Sequence, residues 1–242
     1  MRRYDTLLLD ADGTLFDFNL SEKTALKVVL SQKGIECGDY VISAYHKINA
    51  EQWRRLERGE TTREKLRIDR FSRLIEYLRG EGMPNDIEAE ILAGEYEGEL
   101  ARHGFLFDGA LDVCRGLSRQ CGLYIVTNGL TNVQRGRFSH SPIMHYVNKL
   151  YISEEIGAVK PDPAFFFAVL EDIGINDDAS KSRTLVVGDS PSSDIAGGVN
   201  SGLDTCLYDT DNSFADVCTP EPTYKINSLD ELFRIVGISA DA

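Results

Sequence analysis

Asp10 and Asp12 stand two residues apart in the run YDTLLLDADGTLFD, directly after the apolar Leu7-Leu8-Leu9. In extended backbone alternate side chains point the same way, so both carboxylates leave the end of a short strand on one side. Gly13 then lets the chain turn tightly. Two like charges this close need a counter-ion. A hard divalent cation such as Mg²⁺ takes oxygen ligands and binds through one or two carboxylates plus substrate phosphate, so the leading reading is a phosphate site. A plain turn or part of a calcium loop would use the same residue types, and D-x-D-G alone does not separate these cases.

Two further apolar runs end in the same way. LYIV is followed by Thr127-Asn128-Gly129, and TLVV by Gly188-Asp189-Ser190, with Asp194 a turn further on. If these strands lie side by side, one edge collects four acids, a hydroxyl and glycine-permitted backbone amides. Asp10, Asp12, Asp189 and Asp194 cannot all stay ionised there without cations. Lys160, in EEIGAVKPDP, is the basic candidate, because the adjacent proline fixes its backbone and a loop position lets it point inward.

The elements needed to position these residues can be read from periodicity. From Phe105 on, strand and helix patterns alternate, with strands expected at Leu123–Val126, Leu150–Ile152, Thr184–Val187, Thr205–Tyr208 and Lys225–Ile226. Helices are expected at Ala110–Arg119, Asn132–Phe138, Phe165–Ile173, Ile195–Asn200 and Leu229–Val236. This order predicts an α/β fold in which a parallel sheet is covered by helices on both faces and ligands sit at the carboxyl ends of the strands. Between Asp17 and about residue 105 the strand signal vanishes. Four helical stretches follow: one opening at Ser21 and Glu22, Asp39–Leu56, one beginning near Thr61 at capping-box spacing from Glu64, and Asn85–Leu100. The expected division is a core of residues 1–16 and 106–242 with an inserted helical domain of residues 17–105.

Composition narrows the choices. In 242 residues, 39 acids against 26 bases give a formal charge of −13, which disfavours a nucleic-acid polymer as partner. A small anion remains compatible, because a metal and a few oriented amides can reverse the field locally. No stretch approaches the roughly 20 apolar residues a membrane span needs, and no signal-like segment opens the chain. The expectation is a cytoplasmic protein without a membrane partner. Five cysteines without a C-x-x-C pair indicate neither a disulfide framework nor a zinc site, and the four histidines lack ligand spacing.

DADGTLFD, Thr127-Asn128, Lys160 before Pro161 and GDSPSSD resemble, in order, the four motifs of the haloacid dehalogenase-like (HAD) phosphatases. The resemblance implies a Rossmann-like core, a Mg²⁺ cofactor, phosphoryl transfer through an aspartyl-phosphate, and a four-helix cap where the insert falls. On that reading Asp10 is the nucleophile and Asp12 the general acid and base. Asp10, Asp189 and the Asp12 carbonyl hold the metal. Thr127, Asn128, Gly129 and Lys160 bind the phosphoryl group, and Asp194 orients Lys160 or a metal-bound water. The dehalogenase branch of the superfamily lacks the second acid, which makes halide displacement a poor fit here.

The runs TNGLTNVQRGRF, YISEEIGAVKPDPAFF and GLDTCLYD are similar to the pyrimidine 5′-nucleotidases within that family. The expected substrate is therefore a nucleoside 5′-monophosphate, pyrimidine forms preferred, for an enzyme acting as monomer or homodimer. Rival readings are a phosphatase of sugar phosphates or phosphoglycolate, a phosphomutase, and a non-catalytic binding module, which would be expected to have lost one of the acids. Phe16, Asn19, Tyr45 and Trp53 are the expected specificity residues.

Overall fold

The computed structural model describes residues 3–81, 87–212, 214 and 218–238. Contacts divide the chain into two compact units, Met1–Phe18 with Gly104–Ala242, and Asn19–His103.

The chain enters the larger unit through β1 (Thr6–Leu9) and leaves it through α1 (Phe18–Gln32). In the smaller unit α1 is followed by α2 (Asp39–Glu57), α3 (Arg63–Gly80) and α4 (Ala89–Arg102). The expected start of the last helix at Asn85 lies outside the described residues. Thr62, not Thr61, caps α3, its hydroxyl accepting from the Lys65 amide at 3.4 Å. Back in the larger unit come α5 (Ala110–Leu117), β2 (Gly122–Thr127), α6 (Thr131–His140), β3 (Lys149–Ile152), α7 (Ser153–Ile156) and α8 (Pro163–Asp172). The chain continues through α9 (Asp178–Lys181), β4 (Thr184–Gly188), α10 (Ala196–Asn200), β5 (Asp204–Tyr208), β6 (Tyr224–Ile226) and α11 (Glu231–Val236). The short helices α7 and α9 carry too few residues for a periodic signal, which is why sequence reading passes over them.

Among the described residues the six strands form one parallel sheet in the order β3-β2-β1-β4-β5-β6. This is the Rossmann-like α/β architecture expected from the alternation of elements. Leu7, Leu8 and Leu9 are all within 1% of full burial, as a central parallel strand covered on both faces requires. The two faces follow the period of two. Leu7, Leu9 and Ala11 join a cluster with Val113, Leu117 and Val187, whereas Leu8 packs with Val126, Val186, Phe165 and Phe166. Asp10 shares the parity of Leu8, which puts it on the face that α8 covers.

In the smaller unit the periodic apolar positions do form a core, but it has a charged centre. The rings of Tyr45, Phe71 and Tyr96 meet at 5.1–5.4 Å. The guanidinium of Arg70, 1% exposed, lies 5.3 Å from the Phe71 ring centre and 5.1 Å from that of Tyr96. Arg70 donates to Glu97 and to the Asn49 carbonyl, and the Asn49 amide donates to Glu22 at 2.7 Å. Glu22 also pairs with His46 at 3.0 Å; this hydrogen bond, against the opposing effect of partial burial, holds the imidazole above its usual pKa. No helix of the described residues is long and apolar enough to cross a membrane.

Glu97 has a second partner in Arg67, at 2.8 and 2.5 Å, so removing Arg70 does not leave that carboxylate bare. Arg70→Ala, which gives up the bonds to Asn49 and Glu97 and two ring contacts, is expected to lower stability by about 1.5–3 kcal/mol, the range for hydrogen bonds to a charged group, read as a drop in the urea midpoint. A loss below about 1 kcal/mol would show the Glu22–Asn49–Arg70–Glu97 chain to be incidental.

Candidate active site

The register places three polar strand ends on one edge. Leu9 lies opposite Ile125 on one side and Val187 on the other. The Asp10 amide extends the ladder by donating to the Val187 carbonyl at 2.8 Å. Asp10, Thr127 and Asp189 therefore leave the sheet within a residue or two of one another, although 179 positions of sequence separate the first from the last.

Lys160 is the centre of the arrangement. Its ammonium group, 1% exposed, donates to Asp10 Oδ1 at 2.6 Å, Asp194 Oδ1 at 2.6 Å and the Val126 carbonyl at 2.8 Å. Three acceptors use all three protons of the ammonium. Burial alone would depress the lysine pKa, but the charges of Asp10 and Asp194 outweigh it and the pKa is raised. Asn128 fixes the backbone behind it: the side-chain carbonyl accepts from the Lys160 amide and the side-chain amide donates to the Lys160 carbonyl, both at 2.9 Å. That amide also reaches Ser193 Oγ at 3.3 Å. The residue expected to bind phosphate through its backbone thus acts through its side chain to position the lysine.

Asp194 is held by the Ser190 amide at 3.1 Å. A Cβ at Gly188 would overlap the Asp194 carboxyl, and one at Gly13, where φ is +87°, would overlap Asp189. Gly188 is there for close approach, and Gly13 for close approach as well as for turning. Thr127, 1% exposed, accepts from the Gly129 amide at 3.0 Å through its hydroxyl oxygen, which leaves the hydroxyl proton to donate to a ligand.

Asp12 diverges from this cluster. Its Oδ2 accepts from Gln134 Nε2 at 2.6 Å and its Oδ1 from Arg137 Nη1. Both donors lie on α6, three residues apart on one helical face, and both are fully buried. Sequence reading missed them: their spacing after Thr127-Asn128-Gly129 was visible, but nothing local says that an arginine is buried.

Asp10, Asp189 and Asp194 bring carboxylate oxygens within 4.8 Å of one another. Burial, opposed by Lys160 and reinforced by repulsion from Asp194 and Asp189, pushes Asp10 well above the usual carboxylate range. Burial and the charge of Asp194 push Asp189 up to about 7. Four carboxylates, with Asp12 counted, face two cations, Lys160 and Arg137. The two formal negative charges left over are what one divalent cation neutralises, and an all-oxygen donor set suits Mg²⁺. The residues present fit that ion.

Two of the four expected specificity residues are placed against that role. Phe16 is 0% exposed and packs edge-on against Phe138 at 5.0 Å, and Tyr45 is 0% exposed inside the helical unit. A ring with no accessible surface cannot stack on a substrate, and its burial follows from the apolar area it removes from water. Asn19 is exposed and Trp53 half-buried, so both retain surface to offer.

At the carboxyl edge of a parallel α/β sheet a buried lysine thus bridges two acids, beside an excess of carboxylates of the kind a divalent cation offsets. The chain belongs to the haloacid dehalogenase-like hydrolase family, which matches residues 4–202 and so spans every residue of the site. It is 35% identical over 238 residues to YfnB of Bacillus subtilis, covering 98% of this chain and 97% of YfnB. It is 34% identical over 230 residues to the pyrimidine 5′-nucleotidase PynA of Streptococcus pneumoniae, covering 95% of this chain and 93% of that one. The crystal structure of YfnB bound to magnesium matches with a TM-score of 0.87 at 34% identity, over 98% of this chain and 100% of that one.

Lys160→Met leaves Asp10 and Asp194 buried without their cation and is expected to cost about 3–5 kcal/mol in metal-free buffer. The raised lysine pKa means the wild-type pairing is complete below about pH 10 and is lost only at higher pH. In the variant Asp10 loses the lysine that opposes its burial, so its carboxyl stands further above its unfolded pKa, the folded state binds more protons and the deficit shrinks as pH falls. Urea unfolding at pH 8 and pH 5 with EDTA should show the larger deficit at pH 8. Equal deficits would mean the two acids do not feel the lysine.

Proposed function

We propose that the protein is a Mg²⁺-dependent phosphomonoesterase that forms an aspartyl-phosphate on Asp10 and acts on nucleoside 5′-monophosphates, pyrimidine forms preferred. The observation that carries the reading is Lys160, buried between Asp10 and Asp194 at 2.6 Å from each. A carboxylate fixed by a saturated ammonium at a strand end, next to a hydroxyl and backbone amides, is equipped to meet a phosphoryl group.

In the first step an Asp10 carboxylate oxygen forms a bond to phosphorus and the bond to the ester oxygen breaks, with Asp12 giving that oxygen a proton. In the second, water attacks phosphorus, the Asp10–phosphorus bond breaks and Asp12 takes the proton back. The Thr127 hydroxyl and the Asn128 amide hold the phosphoryl oxygens as charge builds on them; the Gly129 amide, donated to Thr127 Oγ1, holds that hydroxyl in place, and Lys160, its protons taken by Asp10, Asp194 and Val126, acts through its charge. Asp10 and Asp189, with the Asp12 carbonyl, would hold Mg²⁺, whose charge lets the anionic nucleophile approach an anionic phosphate. Asp194 keeps Lys160 aimed.

Support for the substrate class is the 34% identity to PynA and the 29% identity to the pyrimidine 5′-nucleotidase YjjG of Escherichia coli, each over nearly the full length. Asn19 and Trp53 are the candidates to meet the nucleoside.

Phosphate release across a panel of esters tests the assignment. Uridine, cytidine and thymidine monophosphates are expected to give the highest kcat/KM, and EDTA to abolish turnover. A sugar phosphate or phosphoglycolate outpacing every nucleotide would refute the substrate class. Asp10→Asn should bring turnover to background while the far-UV spectrum stays unchanged, and full activity in that variant would remove Asp10 as the nucleophile.

A further inference from the structure

Arg137 poses a problem that the mechanism above does not use. Its side chain is 0% exposed in the larger unit, and desolvating a guanidinium is expensive unless it is paired. Its partners include the Asp12 carboxylate and the rings of Phe16 and Phe18, whose centres lie 5.8 and 5.7 Å away. Rings on that scale attract a desolvated cation and limit its swing. One helical turn away, Gln134, also 0% exposed, binds the other oxygen of the same carboxylate. A Cβ at Gly129 would overlap the Gln134 amide, so the glycine of the Thr127-Asn128-Gly129 turn makes the room in which that side chain sits.

The two donors differ in kind, one charged and one neutral, and they fall on different oxygens. Each carboxyl oxygen has two lone-pair directions, so one N–H bond per oxygen leaves the second direction for a travelling proton. The Asp12 carboxyl can thus exchange a proton without letting go of either donor. It cannot rotate about its terminal bond without breaking both.

We propose that Arg137, assisted by Gln134, is a positioning residue that fixes the orientation of the Asp12 carboxyl for proton transfer to and from the reacting oxygen. The inference rests on the phosphomonoesterase reading. It separates two kinds of work within each half of the reaction: Asp10, Lys160 and the phosphoryl contacts do not depend on Arg137, whereas proton transfer by Asp12 does.

Leaving-group chemistry exposes this division. A nucleoside 5′-oxygen departs poorly without a proton, whereas p-nitrophenolate departs without one. Arg137→Met is compared with wild type on uridine 5′-monophosphate and p-nitrophenyl phosphate with saturating Mg²⁺, by steady-state and rapid-mixing kinetics. The expected result with the nucleotide is a fall in kcat of about 10²-fold or more, within the range of general acid–base effects, with KM changed little. With p-nitrophenyl phosphate a burst of about one p-nitrophenolate per enzyme should form at close to the wild-type rate. Slow turnover follows, because the second half-reaction still needs Asp12 as base. Arg137→Lys, which restores a charged donor, should recover part of the nucleotide rate.

If Arg137→Met does not fold by circular dichroism, Gln134→Met carries the same comparison, with a smaller loss and the same burst. Equal losses on both esters with no burst, or a nucleotide kcat within about threefold of wild type, overturn the positioning role. A wild-type protein that hydrolyses p-nitrophenyl phosphate but no nucleotide refutes the nucleotidase assignment alone, and the alkyl phosphate it does accept then replaces uridine monophosphate. A wild type active on no ester overturns both.

Discussion

The site depends on an ammonium group buried away from solvent. Lys160 Nζ satisfies its protons with Asp10, Asp194 and the Val126 carbonyl, and in doing so ties together three segments that the sequence holds far apart. Without the two carboxylates the lysine would be driven neutral by burial; without the lysine Asp10 would be driven further toward its protonated form. The arrangement is stable as a set and costly as any part of it. The surroundings serve that set: Asn128 clamps the lysine backbone, Ser190 holds Asp194, and Gly13 and Gly188 remove the side chains that would push Asp189 and Asp194 away.

A second charged pair divides the labour. Arg137 and Gln134 give Asp12 partners of its own, while its charge still acts on Asp189. Two carboxylates from one short loop, Asp10 and Asp12, thereby acquire different partners: one a lysine below the sheet edge, the other an arginine and an amide on α6. Different partners suit the two roles proposed for them, since a nucleophile must stay anionic while a proton shuttle must change state.

The strands at 122–127, 184–188 and 204–208, and the four helical stretches between residues 18 and 102, were legible because each is long or apolar enough to carry its period. The short helices α7 and α9 were not, and the cap of α3 fell one residue later than the Thr61–Glu64 spacing suggests, at Thr62. Phe16 and Tyr45 read equally well as contact residues or as core, and burial decides for core in both. The helical unit shows the same limit. Its apolar positions predicted an ordinary bundle, but the pattern gave no sign that Arg70, Glu97, Asn49 and Glu22 would form a continuous buried polar chain.

From the sequence alone came the acids, the hydroxyl and the lysine, and their location at strand ends, because alternation and turn residues are local properties of the chain. What only the tertiary structure decided is which charge meets which. Strand order and register bring Val126, Lys160 and Asp194 to Asp10, and the face of α6 presents Gln134 and Arg137 to Asp12. A local pattern can say that a residue is charged; only a packed interior, where no water remains to satisfy it, determines its partner.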